Sequence, residues 1–123
     1  MYALFLVLND TTKLDNIMET FYEIKVGATT LDSIGMGKVL LEHQVDLPFF
    51  SSIRKMIEGN NPYNKTIISV IRDEDKLNIA KEKIKNELNY FKEPGVGFMF
   101  IVPVIECHGI DAERFYQNEK EID

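Results

Sequence analysis

Apolar positions along this chain fall into two periods, and the switching between them predicts an order of elements. Tyr2 to Leu8 is an unbroken apolar run, the pattern of a strand buried on both faces. Asn9-Asp10-Thr11-Thr12 then offers N-cap side chains. Leu14, Ile17, Met18, Phe21 and Ile24 follow at helical spacing, one apolar stripe on an amphipathic helix. Gly27 is placed to end that helix. A second strand is expected over Ala28 to Ile34, rich in β-branched residues, and a third over Lys65 to Ile71. Asp73 is placed to cap a second helix whose inward stripe is Leu77, Ala80, Ile84, Leu88 and Phe91. Its outer face is dense in Lys and Glu, an ordinary solvated surface, and Pro94-Gly95 breaks it. Phe98 to Ile105 reads as a fourth strand.

The order β-α-β, insertion, β-α-β predicts an α+β fold over residues 1–110: a ferredoxin-like βαββαβ antiparallel sheet with both main helices on one face. That leaves the other face bare, although three strands are apolar on both sides. A second copy of the sheet is the simplest cover, so a homo-oligomer is expected. The insertion between the second and third strands, residues 36–64, is long for a connection and reads as functional. It is expected as an extended hairpin, a loop, or both. Phe49, Phe50, Ile53, Met56 and Ile57, ahead of Gly59, predict a short helix from Phe49 to Glu58. The simplest role for that helix is to pack on its own subunit. Residues 111–123 form an acidic tail that only Phe115 and Tyr116 are suited to pin to the body.

Composition narrows the function classes. A length of 123 residues fits one domain. A formal net charge of -6 argues against a nucleic-acid backbone binder, which needs a basic face. Cys107 is the only cysteine, so no intrachain disulfide forms and a reducing cytosol is the simpler setting. Tyr2 to Leu8 lacks the basic flank and small-residue cleavage pattern of a targeting segment. No apolar run approaches the ~18 to 20 residues of a membrane span. A cytoplasmic protein without membrane insertion is expected.

Candidate chemistry is sparse. Glu106, Cys107 and His108 are metal-ligand types, but on a strand Cys107 points away from the other two. Glu42 and His43 are able to add ligands from another subunit, so Glu42, His43, Glu106 and His108 form the alternative metal set. The spacing of these residues is a weak metal signal, and structural or solvated roles are the simpler reading. Cys107 beside His108 does not make a nucleophile pair for the same geometric reason. No P-loop, dinucleotide fingerprint or nucleophile elbow is present, and no enzymatic activity is predicted.

Two glycine-marked loops remain, each set against a strand. One runs Gly27-Ala28-Thr29-Thr30 to Gly35-Met36-Gly37-Lys38, the other Gly95-Val96-Gly97 into Phe100-Ile101-Val102-Pro103-Val104. Such loops form turns or cradle a ligand. On these stretches the chain resembles the PII-type nitrogen regulatory proteins, as a divergent PII-like member, from Met1 to Ile110. The resemblance implies a homotrimer of ferredoxin-like subunits. It also implies sensing of ATP or ADP, with 2-oxoglutarate, in clefts between subunits. Signalling would pass to a protein partner through the insertion, the family's T-loop. The positions it assigns to ligand binding are Thr29, Gly35, Gly37, Lys38, Gly95 and Gly97. Where the family has its T-loop glutamine this chain has Val39, and Phe98 stands near the place of the second loop's lysine. The family's C-terminal arginines have no counterpart around Gly109 and Asp111, and Tyr63 lacks the context for uridylylation. The CutA proteins, which share this fold and are linked to metals, supply the alternative of a metal-binding trimer.

Overall fold

A computed structural model of the chain describes residues 1–42 and 63–109. It is an α+β structure whose four strands form one antiparallel sheet: β1 (Tyr2–Leu8), β2 (Thr29–Ile34), β3 (Tyr63–Ile71) and β4 (Gly97–Pro103). The spatial order is β2-β3-β1-β4, so β2 and β4 are the edges. This arrangement is compatible with a ferredoxin-like fold. The helices are α1 (Leu14–Glu23), α2 (Met36–Glu42) and α3 (Glu74–Glu87), with single 3-10 turns at Thr11–Lys13 and Asn89–Phe91.

Parity along β1 divides the sheet into two faces. Leu4, Leu6 and Leu8 are completely buried. They share a core with Ile17 and Phe21 of α1, Ile67 and Ile71 of β3, and Leu77, Ala80 and Ile84 of α3. The stripes read from the sequence are therefore the ones that pack. On the other face, Phe5 lies opposite both Ile68 and Phe100, and Val7 opposite Thr66 and Phe98. Phe5 and Phe100 stack at 4.8 Å between ring centroids, nearly parallel. Among the described residues no helix covers this side: Phe98, Phe100 and Val102 are 55%, 42% and 38% exposed. No helix of the described residues is long and apolar enough to cross a membrane.

Several boundaries differ from the expected ones. Helix α1 stops before Gly27, because Lys25 takes the left-handed conformation with φ of 60°. The Lys25 N–H donates to the Tyr22 carbonyl and the Val26 N–H to the Phe21 carbonyl, a Schellman ending. Val26 and Phe21 are both buried beside this turn, so apolar burial holds Lys25 in a conformation that favours glycine. Gly27 serves otherwise: the buried Ser69 hydroxyl donates to its carbonyl at 2.7 Å and ties the turn to β3. Strand β2 then begins at Thr29 rather than Ala28, and β3 begins at Tyr63 rather than Lys65.

Asp73 caps α3 as expected, accepting from the Asp75 and Lys76 amides. The helix ends at Glu87, well before Pro94-Gly95, in a run of left-handed residues at Asn89, Tyr90 and Phe91. Strand β4 ends at Pro103, so Glu106, Cys107 and His108 lie beyond it and strand alternation does not govern them. Met36–Glu42, expected as part of an extended hairpin or a loop, is helical. The short helix expected over Phe49 to Glu58, His43 and the acidic tail lie outside the described residues.

The left-handed Lys25 makes a direct prediction. Lys25→Gly removes the Cβ clash of that conformation and is expected to stabilise the fold by about 1 kcal/mol. A urea denaturation midpoint no higher than that of the unsubstituted protein contradicts this account of the helix stop.

Candidate functional site

The first glycine loop is a strand-to-helix junction. Gly35 follows β2, and its carbonyl accepts from the Val39 amide at 3.3 Å, opening α2. Gly37 and Lys38 thus sit in the first turn of that helix. Across the junction, Tyr63 pairs directly with Ile34, and the Lys38 ammonium lies 5.4 Å from the centre of its ring. One residue on from that pair, the Ser33 hydroxyl shares a hydrogen bond with Thr66 at 2.8 Å and donates to the Asn64 carbonyl at 3.3 Å. Lys65 and Asp32 form an ion pair on the neighbouring row.

The second loop is held to the end of β1 by main-chain bonds and one side chain. The Val96 carbonyl accepts from the Asn9 amide at 3.0 Å and from the Asp10 amide at 3.4 Å. The Asn9 side-chain Nδ2 donates to the Gly95 carbonyl at 3.0 Å. Gly95 has a φ of 79° and Gly97 a φ of 143°. A Cβ at Gly97 would overlap the Val7 carbonyl oxygen and stand 3.3 Å from Leu8 Cα. Glycine is required here by the close approach of β1 as much as by the dihedral.

The two loops stand at the same end of the sheet, since β1 and β2 end there while β3 and β4 begin there. They are on opposite edges. Three interstrand spacings separate those edges, roughly 14 Å. Within one subunit the Gly35–Lys38 and Gly95–Gly97 loops are therefore not brought together. Thr29 opens β2 opposite Ile68, on the helix-free face and some 20 Å along the strand from Gly35 at about 3.3 Å per residue. It joins neither loop within the subunit.

The alternative metal residues are less assembled. Glu42 ends α2 and His43 lies outside the described residues. Glu106 and His108 do meet, with 3.3 Å between a carboxylate oxygen and Nε2, but both are largely exposed. Among the described residues no group of three or more His, Cys, Asp or Glu side chains is arranged to hold a metal ion.

Sequence reading missed the role of Asn9. It marked that residue only as one of several capping candidates, whereas the cap itself is Asp10, which accepts from the Thr12 amide. Nothing local in a single sequence links positions 9 and 95. The one available signal is that Asn ends an apolar run where a continuing strand would place another apolar residue.

Gly97 yields the sharpest structural test of the site. Gly97→Ala is expected to destabilise the fold by about 2–4 kcal/mol, through overlap with β1 and a strained φ. Gly35→Ala, whose Cβ would find only Asn64 Nδ2 at 4.0 Å, is expected to change stability by less than about 0.5 kcal/mol. Equal midpoints for the two variants in urea denaturation would remove the close approach at Gly97 as a constraint.

Compared with protein-family models and with curated proteins, the chain matches none.

Proposed function

We propose that this chain is a non-enzymatic PII-like regulatory protein, built on a ferredoxin-like subunit and assembled as a homotrimer. It senses a small ligand, with ATP or ADP the first candidates, in clefts between subunits. It signals to a protein partner through the 36–64 insertion. Gly35, Gly37, Lys38, Gly95 and Gly97 form the ligand set; Thr29, at the far end of β2, lies outside it.

The observation that carries this reading is the placing of two glycine loops at one end of the sheet on its two outer edges. Loops so placed converge when the β4 edge of one subunit approaches the β2 edge of the next. The apolar side bearing Phe5, Phe98, Phe100 and Val102, which no helix of the described residues covers, supports assembly of this kind, because burying it removes apolar surface from water. The cationic side chain of the first loop is Lys38, whose ammonium lies over the Tyr63 ring. Backbone amides supply the remaining donors, since Val39 and Phe98 stand where the resembling family has polar side chains. Ligand binding shifts the insertion only as far as its two states differ in ligand affinity.

Isothermal titration with ATP, ADP and AMP, with and without magnesium and 2-oxoglutarate, tests the sensor. Binding of about one nucleotide per subunit is expected, weakened roughly tenfold by Lys38→Ala through loss of a charge-assisted contact. No heat with any nucleotide overturns the sensor reading. For the assembly, sedimentation velocity is expected to give a trimer that Phe100→Asp dissociates, since burying an unpaired carboxylate is unfavourable. A monomeric unsubstituted protein rules the assembly out.

A further inference from the structure

We infer that Asn9 is the positioning residue of the ligand site: it turns the carbonyls of Gly95 and Val96 inward and so presents the amides of Val96 and Gly97 to a phosphate oxyanion. This rests on the proposed nucleotide-binding reading and names a residue and a donor set within that site.

The inference starts from peptide geometry. In a trans peptide unit the C=O and the following N–H point in opposite directions, and the described residues contain no cis bond. The Gly95 carbonyl is drawn to Asn9 Nδ2 at 3.0 Å. The Val96 N–H, in the same peptide unit, is therefore turned away from Asn9. The Val96 carbonyl is drawn to the Asn9 and Asp10 amides, which turns the Gly97 N–H away as well. One residue thus orients two successive peptide units, one through its side chain and the other through its main chain.

Strand register supports the same orientation. The Asn9 amide reaches Val96, and the Val104 amide reaches the Met1 carbonyl at 3.1 Å. With Leu8 opposite Gly97 and Tyr2 opposite Pro103, these bonds make Leu8–Gly97 a pair that exchanges no ladder hydrogen bonds. The Gly97 N–H thus points out of the sheet at the β4 edge. Gly95 has positive φ, and successive amides around such a residue form an anion-binding concavity. The loop has no cationic side chain between Pro94 and Pro103, so its recognition of an anion must come from the main chain. Orientation of that main chain is what Asn9 supplies.

Asn9→Ala removes the side-chain donor and leaves the backbone bonds. Asn9→Asp keeps the shape but sets an acceptor against the Gly95 carbonyl, and it carries the measurement should the alanine variant fail to fold. Titration of the unsubstituted protein and both variants with ADP and with adenosine separates positioning from general damage. ADP affinity is expected to fall about five- to tenfold in each folded variant. Adenosine, which lacks the phosphate, is expected to titrate alike against all three proteins. Unchanged ADP affinity in the variants overturns the inference, as does an equal loss for adenosine. If the unsubstituted protein binds neither ADP nor ATP, the nucleotide reading falls and the inference with it. Binding by the unsubstituted protein with no effect at Asn9 removes the inference alone.

Discussion

The central position of β1, with β3 on one side and β4 on the other, forces its alternate residues into opposite environments, and the other elements are arranged by that division. Leu4, Leu6 and Leu8 bury completely against α1 and α3. A one-residue slip of register would exchange this set for Ala3, Phe5 and Val7, so the core selects one pairing. The same pairing sets Leu8 against both Lys65 and Gly97. It therefore determines where β2 hands over to α2 and where the second glycine loop meets the end of β1. The position of the two glycine stretches is a consequence of the core's parity.

Two kinds of constraint shape the ends of the elements. Some are carried by side chains that satisfy exposed backbone groups, as Asp73 does for the first turn of α3 and Ser69 does for the Gly27 carbonyl. Others are steric, as at Gly97, where the backbone of β1 leaves no room for a Cβ. The distinction matters for function. A loop held by main-chain contacts and one short side chain at the end of a central strand keeps its shape without depending on long, flexible side chains, and a loop of that sort is suited to meeting a ligand with its own amides.

What was legible in the sequence follows from the range of the forces involved. The β1 strand, the apolar stripes and the Asp73 cap are local patterns that emerge, although β1 is fully buried on one face only and Leu88 and Phe91 pack from beyond the end of α3. The Lys25 helix stop is not local: a lysine takes the left-handed conformation because Phe21 and Val26 bury beside it. The glycines of Gly35-Met36-Gly37 draw the eye to a loop, yet Lys38, Val39, Leu40 and Leu41 continue into helix. The end of β4 at Pro103 displaces Glu106 and His108 from the strand geometry expected of them. The second glycine loop was legible as a loop, but the placement of the two glycine stretches on opposite edges requires the strand order. The link from Asn9 to Gly95 spans a separation of 86 positions, which no periodicity encodes.

The opposition of the two edges has a consequence for stoichiometry. A contact joining the β4 edge of one subunit to the β2 edge of another is heterologous, because unlike surfaces meet. It cannot close about a two-fold axis. It closes only as a ring, in which every subunit gives one edge and receives the other. Composite clefts are then equal in number to the chains, and each chain takes part in two of them. A substitution on one edge would damage a single wall of every cleft. Mixing it with a subunit altered on the other edge would restore some clefts with both walls intact, a pattern of complementation that a two-fold dimer of like edges does not produce.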